Sequence, residues 1–279
     1  MRTINTEEIE ELIYKMALKA GVSLTDGAKA ALYDAAEREE GGAAKFALKK
    51  LCENFELAER ENMPVCQDTG MAVVLMNIGQ NVHLEGKLLQ TAVDDGVRRA
   101  YADGYFRKSV CDPLTRVNTG DNTPAALHTE IVAGDKIEIT FMPKGFGSEN
   151  MSRVYMLKPA QGTDGIIDAI AETVKIAGSR PCPPVICGVG IGGSFDTCTY
   201  LAKRALTRKT GSRNPRADIA EIEERALEKI NALGIGCQGF HGNITALAVM
   251  CEWAPTHIAG LPVAVNIQCH CMRAQTEVL

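Results

Sequence analysis

Cys66, Gln67 and Asp68 place a thiol, an amide and a carboxylate on three consecutive positions within Pro64-Val65-Cys66-Gln67-Asp68-Thr69-Gly70. A proline and a glycine bound the stretch, which predicts a loop rather than the interior of a helix or strand. A helix-period segment precedes it and the apolar run Met71 to Met76 follows. The loop is therefore expected at a helix-to-strand junction, where side chains can face a cleft. The plainer alternative is that Gln-Asp-Thr-Gly is turn chemistry and the cysteine a small buried hydrophobe.

Other thiols lie far away in the chain. Cys182 sits in Pro181-Cys182-Pro183-Pro184, where three prolines hold it in a stiff, extended setting. Cys269-His270-Cys271 follows an extended run close to the last residue. The ten cysteines include no Cys-x-x-Cys pair, so zinc ribbons and thioredoxin-like redox sites have no local support. A reducing compartment argues against a disulfide framework. Dispersed thiolates can still converge on an iron-sulfur cluster, because the fold supplies geometry that local spacing does not. Three thiolates on a cubane leave one iron open, able to act as a Lewis acid on a carboxylate or hydroxyl. Ten cysteines allow many such triples, and spacing alone does not choose among them.

The elements that must position these groups read as a mixed α/β chain. Helices are expected over residues 6 to 20 (capped by Asn5 or Thr6, stopped by Gly21), 25 to 40 and 43 to 61, giving an N-terminal helical layer over residues 1 to 61. A strand follows at 71 to 76 and a helix at 86 to 103. The long irregular stretch from Asp112 to Pro124 is of the length that tends to carry function. Leu127 to Val132 and Lys136 to Met142 alternate in polarity around Ala133-Gly134-Asp135, which predicts a β-hairpin. The loop Pro143 to Asn150 has two glycines that would let backbone N–H groups approach a ligand. A helix over 164 to 177 precedes the Cys182 prolines.

Val185 to Gly193 reads as a strand entering a glycine turn before a helix at 194 to 208, similar to a nucleotide fingerprint. A dinucleotide unit would need a second strand ending in an acidic residue about 20 residues later. The chain instead continues Arg208-Lys209-Thr210-Gly211-Ser212-Arg213. A backbone site for a carboxylate, or close helix-to-strand packing, is the expectation there. A helix over 217 to 233, an apolar run from Ile244 to Trp253 and an extended run from Leu261 to Gln268 complete the pattern. The fold expected is one α/β domain over 1 to 279, with mixed sheets flanked by helices and cluster-binding loops at strand ends. A strand that delivers Cys269 and Cys271 so late in the chain places the chemistry at an edge.

With 279 residues and 46% hydrophobic content, the chain can bury a substantial core. A net charge of -5, with both signs interspersed, offers no basic stripe for nucleic acid or an anionic membrane. No apolar run approaches the roughly 18 residues of a membrane span, and the first residues lack a signal-peptide core, so a cytoplasmic address is expected.

Five co-linear motifs decide among the thiols. Pro-Val-Cys-Gln-Asp-Thr-Gly at 64 to 70, Asn-Thr-Gly-Asp-Asn-Thr-Pro at 118 to 124, Lys-Gly-x-Gly-Ser-Glu-Asn at 144 to 150, Cys-Pro-Pro with Gly-x-Gly-Gly at 182 to 193, and Pro-Thr-His-Ile-Ala-Gly-Leu-Pro-Val-Ala-Val-Asn-Ile-Gln-Cys-His at 255 to 270 span most of the chain. Together the chain resembles the class I, iron-sulfur-dependent fumarate hydratases, and more narrowly the alpha subunits of the two-subunit fumarate hydratase and L-tartrate dehydratase group. The resemblance implies a 4Fe-4S cluster on Cys66, Cys182 and Cys269, with Cys271 a rival for the third position. It implies proton transfer by Asp68 and substrate contacts from Gln67, Arg107, His257 and the backbone at Gly145. Arg98, Arg99, Arg116, Arg153 and Arg180 are other arginines that could grip a carboxylate. Cys52, Cys111, Cys187, Cys198, Cys237 and Cys251 read as buried thiols.

The resemblance further implies a separate beta subunit that completes the active site, in an α2β2 hetero-oligomer. The reaction implied is reversible hydration of fumarate to L-malate. The alternatives are L-tartrate or another dicarboxylate as substrate, a non-catalytic iron-sulfur redox sensor, and a nicotinamide-dependent oxidoreductase using the Gly188 to Gly193 turn.

Overall fold

The apolar run after the Cys66 loop is buried on both faces over nearly its whole length, so it needs a hydrogen-bonded strand along each edge and cover above and below. The computed structural model describes all residues from Met1 to Leu279 and supplies both. In chain order the elements are β1 (Arg2–Asn5), α1 (Thr6–Val22), α2 (Asp26–Arg38), α3 (Gly42–Arg60), β2 (Met71–Gly79), β3 (Val82–Glu85), α4 (Leu89–Asp103), β4 (Ala126–Val132), β5 (Ile137–Lys144), α5 (Phe146–Glu149), β6 (Arg153–Leu157), α6 (Gly162–Ala177), β7 (Val185–Gly192), α7 (Phe195–Ala205), α8 (Ala217–Asn231), β8 (Ala246–Ala254), β9 (Leu261–Gln268) and β10 (Gln275–Val278). They form an α/β chain of two compact units. No helix is long and apolar enough to cross a membrane.

The first unit comprises residues 1 to 24, 55 to 146 and 273 to 279. Its main sheet has the order β10-β5-β2-β4, and β1 pairs with β3 in a small parallel ribbon. β4 runs parallel to β2 and β5 antiparallel to it. The expected hairpin is therefore corrected: β4 and β5 do not pair, because β2 lies between them. The connection crosses the end of β2, where Gln80 N donates to Val132 O at 2.7 Å and Asn81 N to Gly134 O at 2.9 Å. Alternating polarity specifies strands and a turn but not partners, and an apolar β2 takes both.

Helix α1 opens with a capping box: the Asn5 side chain accepts from Glu7 N, and Glu8 accepts from Asn5 N at 3.1 Å. Gly21, expected as its stop, lies inside the helix. A methyl group there would meet the Phe106 ring at 2.0 Å, so the glycine makes room for an aromatic side chain. Ile9, Ile13, Met16 and Ala20 of α1 pack with Val93, Val97 and Tyr101 of α4 and with Val74, Met76, Ile139 and Phe141 of the sheet. β1 and β10 are four residues each, too short for a period to show in sequence.

The second unit comprises residues 25 to 54 and 147 to 272. Residues 1 to 61, expected as one helical layer, are thus shared: α1 belongs to the first unit, α2 and the start of α3 to the second. The sheet order here is β6-β9-β7-β8, with β8 parallel to β7 and β9 antiparallel to both its neighbours. The strand that ends at Gln268 is interior to its sheet. β7 is buried throughout, and methyl groups at Gly188 and Gly190 would stand 2.2 Å from Ala202 O and 1.9 Å from Cys198 O. Of the two expectations for this glycine run, close helix-to-strand packing is the one found. Glu39 is fully buried and accepts from Glu40 N, Gly41 N, Asn243 N and Ile244 N, fixing the α2-α3 turn to the approach to β8.

Candidate active site

In the first unit, the Cys66 loop is held from beneath by main-chain and buried polar contacts. Val65 N donates to Gly21 O at 3.1 Å. Tyr101 Oη lies 2.8 Å from Thr69 O and 3.0 Å from Gly70 O, and Asn122 Nδ2 donates to Gly70 O at 3.1 Å. Burial pushes the Tyr101 phenol well above its usual range; Arg273 lowers it and Asp68 raises it further, and the phenol stays a donor. Gly70 has φ 81°, a left-handed turn that a side chain would strain, and its built Cβ would also meet Lys144 N at 2.8 Å.

This scaffold fixes Asp68. Its Oδ1 accepts from Gly70 N and its Oδ2 from Phe146 N, both at 3.0 Å, while Arg273 Nη2 donates to its carbonyl at 3.0 Å. A methyl group on Gly145 would come within 3.1 Å of Asp68 Oδ2, so the missing side chain lets the backbone lie against the carboxylate. Lys144, 1% exposed, donates from Nζ to Gly145 O at 3.3 Å, and Arg273 is 2% exposed. Asp68 and Cys66 are half-buried and Gln67 exposed. The carboxylate is oriented by backbone donors yet open to a substrate, which suits it to hold or pass a proton.

Arg107 is anchored beside this loop through its main chain, since Thr69 Oγ1 donates to Arg107 O at 2.8 Å. Its side chain is exposed and makes no ion pair. Several rival arginines are engaged: Arg98 by Asp95 and Asp121, Arg99 by Glu10 and Glu11, and Arg180 by Ala177 O and Ile176 O at the end of α6.

In the second unit, β7 and β9 are antiparallel with Ile186 opposite Gln268, so the residues before β7 and after β9 share one end of the sheet. Cys182 and Cys269 are at that end. His270 Nδ1 stands 3.1 Å from Cys182 O. Cys182 is exposed, with φ 55°, a conformation uncommon for a residue other than glycine. The adjoining loop is fixed where Gln238 N and Nε2 both donate to Pro183 O. Because β9 stops at Gln268, Cys269 and Cys271 do not share a strand face: Cys269 is half-buried and Cys271 only 3% exposed.

His257 is elsewhere. It belongs to the connection from the end of β8 to the start of β9, where Gly193 N donates to Pro255 O and Thr256 Oγ1 to Gly193 O. That is the opposite end of the same sheet, about 20 Å from the Cys182 end at the usual rise per strand residue. The structure places Cys182 and Cys269 at the same sheet end and His257 at the opposite one.

A family model for fumarate hydratase (Fumerase) matches residues 10 to 278. The chain belongs to the fumarate hydratase family. It is 41% identical over 269 residues to the putative L(+)-tartrate dehydratase subunit alpha of Methanocaldococcus jannaschii, covering 94% of each chain. It is 30% identical over 273 residues to the L(+)-tartrate dehydratase subunit alpha of Escherichia coli K12, covering 96% of this chain and 90% of that one. Membership of the fumarate hydratase family makes this chain a hydro-lyase subunit.

The donor chemistry of this fumarate hydratase family member separates its thiols. None of the ten forms a disulfide. Burial pushes Cys187 up to about 12; burial, then Glu39 and Cys52, push Cys237 up to about 12; Cys251 and Cys198 are raised as well, by burial first. Thiols buried in this way are poor thiolate donors. Cys52 is buried too, but Cys111, expected to be buried, is half-exposed in a bridge to Asn118 that lies on a surface loop. Cys66, Cys182 and Cys269 are among the accessible thiols, and soft thiolate donors of that kind suit iron-sulfur clusters. Within either unit, no three His, Cys, Asp or Glu side chains form a group that could hold a metal ion. Sequence reasoning gave no role to Tyr101 and Arg273, nor to the side chains of Lys144 and Gln268, although these two lie within quoted motifs. Nothing in the sequence marks Tyr101 or Arg273 as buried.

Proposed function

We propose that this chain is the cluster-bearing subunit of an enzyme that reversibly hydrates fumarate to L-malate, with Cys66, Cys182 and Cys269 holding a 4Fe-4S cluster. The observation that supports the reading is the placement of Cys182 and Cys269, remote in sequence, at one end of the same sheet, with His270 Nδ1 3.1 Å from Cys182 O. When bound, such a cluster supplies an iron with an open position, a Lewis acid for a substrate carboxylate and hydroxyl.

The chain's own residues do the rest. Asp68, oriented by Gly70 N and Phe146 N, holds or moves the proton exchanged at the carbon next to the hydroxyl-bearing one. Gln67 offers an exposed amide to a carboxylate, and the Arg107 guanidinium can take one in a bidentate grip. Gly145 keeps the backbone against Asp68 and supplies the backbone contact. His257, at the other end of its sheet from Cys182 and Cys269, is the remaining substrate contact of this reading. The relatives above are named as alpha subunits, which supports a partner beta subunit that contributes the remaining groups, in an α2β2 assembly.

The test is anaerobic co-purification with the partner, iron and sulfide analysis, and a fumarate hydration assay. Cys66→Ala should lose cluster colour and activity together. Full activity in that variant, or no turnover of any dicarboxylate by a complex with its cluster intact, overturns the reading. A second substrate reading, dehydration of L-tartrate, is favoured by the names of the relatives. Rates on fumarate, malate, tartrate and mesaconate measured side by side decide between them.

A further inference from the structure

Gln268 closes β9 and is 1% exposed, yet its side chain does not serve the apolar core. Its Nε2 lies 3.0 Å from Cys271 O and 3.7 Å from Cys269 Sγ, while its Oε1 is buried with no hydrogen-bond partner. The Cys271 carbonyl can only accept, so the nitrogen must face it, and the second N–H of the same group is directed to the sulfur. A buried amide that leaves its own oxygen stranded in order to present both N–H groups is held for what those groups bind.

The two contacts act on rival thiols in different ways. One takes hold of the Cys269 sulfur at the sheet end that also carries Cys182. The other takes hold of the Cys271 main chain, and the Cys271 side chain is 3% exposed. Between them, His270 contacts Cys182 O. We propose that Gln268 is a positioning residue that selects Cys269 over Cys271 as the third cluster thiolate and steadies its sulfur with an N–H···S hydrogen bond. The inference rests on the cluster reading above. Hydrogen bonds to ligating sulfurs raise the reduction potential of a cluster, so the same contact sets how readily the bound cluster is oxidised.

Gln268→Met keeps length and bulk and removes both N–H groups. In the metal-free full chain, iodoacetamide labelling followed by peptide mapping should modify Cys269 at least about tenfold faster than Cys271, by its greater exposure. In Gln268→Met that ratio should fall several-fold as the Cys271 segment loosens. In the anaerobic complex with its partner, the variant's cluster potential should move to more negative values and its colour should bleach faster in air. Should Gln268→Met not fold, Cys271→Ala and Cys269→Ala give the selection directly: the first should keep the iron and sulfide content of the parent, and the second should lose it. Iron retained by Cys269→Ala and lost by Cys271→Ala overturns the proposal. A folded Gln268→Met with unchanged labelling ratio and unchanged potential, in a system whose parent complex holds a cluster, overturns this inference alone. A parent complex that binds no cluster defeats the hydro-lyase reading itself.

Discussion

Where α7 packs on β7, the space beside the glycines is filled by the protein: Ala202 O and Cys198 O crowd the positions that side chains at Gly188 and Gly190 would need. Around Asp68, Gly70 before β2 and Gly145 after β5 lie against a reactive group instead. Gly70 turns the chain so that its N–H meets Asp68 Oδ1, and Gly145 lets the backbone lie 3.1 Å, at a built Cβ, from Asp68 Oδ2. In both places glycines let another part of the chain come close. The one that resembles a nucleotide fingerprint is packing, and the one that resembles a plain turn holds a carboxylate. Glycine content therefore says that something comes close, and only the neighbour says whether it is a helix or a ligand group.

Substitutions at the two places should separate fold from chemistry. Asp68→Asn keeps the shape of the side chain and, with its one amide oxygen, one of the two backbone hydrogen bonds, but removes the proton-carrying group. Turnover in the partner complex should drop about 100- to 10,000-fold, with little change in melting temperature. A variant with near-parental turnover would break the assignment of Asp68. Gly190→Ala should do the reverse, because a methyl group 1.9 Å from the Cys198 carbonyl forces α7 off β7. The expected loss is about 3 kcal/mol, at the upper end of overpacking costs, read as a lower denaturant midpoint. Unchanged stability there, together with saturable binding of a nicotinamide nucleotide, would reverse the comparison. Gly145→Ala sits between these extremes. Its methyl group meets a side-chain carboxylate rather than a fixed carbonyl, so the chain should fold within about 1 kcal/mol of the parent while activity falls roughly tenfold.

How far these differences were legible follows from what each signal measures. The period and end signals placed β9 at Leu261 to Gln268, and α1, α2 and α3 within a few residues, because propensity, caps and burial agree in those segments. Strand partners were not legible: the β4-β5 hairpin failed because polarity is local and pairing is not. The Cys66, Gln67 and Asp68 triplet was visible as reactive types in a loop. That Cys182 meets the Cys269 segment was not derivable from periodicity, since it depends on β7 and β9 being antiparallel neighbours. Of the supports, Tyr101 and Arg273 lie in no motif, and the motif that contains Gln268 gave its side chain no role. Each is a buried polar group whose purpose appears only when its partner is known.

The smallest expected effect concerns how the Asp68 loop is shored up from a distance. Asp121 is next to Asn122, which accepts from Ser109 N and donates to Gly70 O, so it sets the segment that props the loop. Partial burial would raise the Asp121 carboxyl, but the hydrogen bonds from Arg98 Nε and from Thr123 N and Oγ1 outweigh it and hold the group down to about 2. A carboxyl lowered in the folded state binds its proton more readily when unfolded, so it stabilises fully above about pH 4 and the contribution is lost as pH falls toward about 2. With the side chain a quarter exposed, solvent screening trims the full shift to about 1 to 2 kcal/mol. Urea midpoints at pH 7 should therefore be lower for Asp121→Asn than for the parent, and the two should converge on acidification to about pH 2. A gap that stays constant across that range would mean that Asp121 acts by shape alone, and that the loop beside Cys66 owes nothing to this charge.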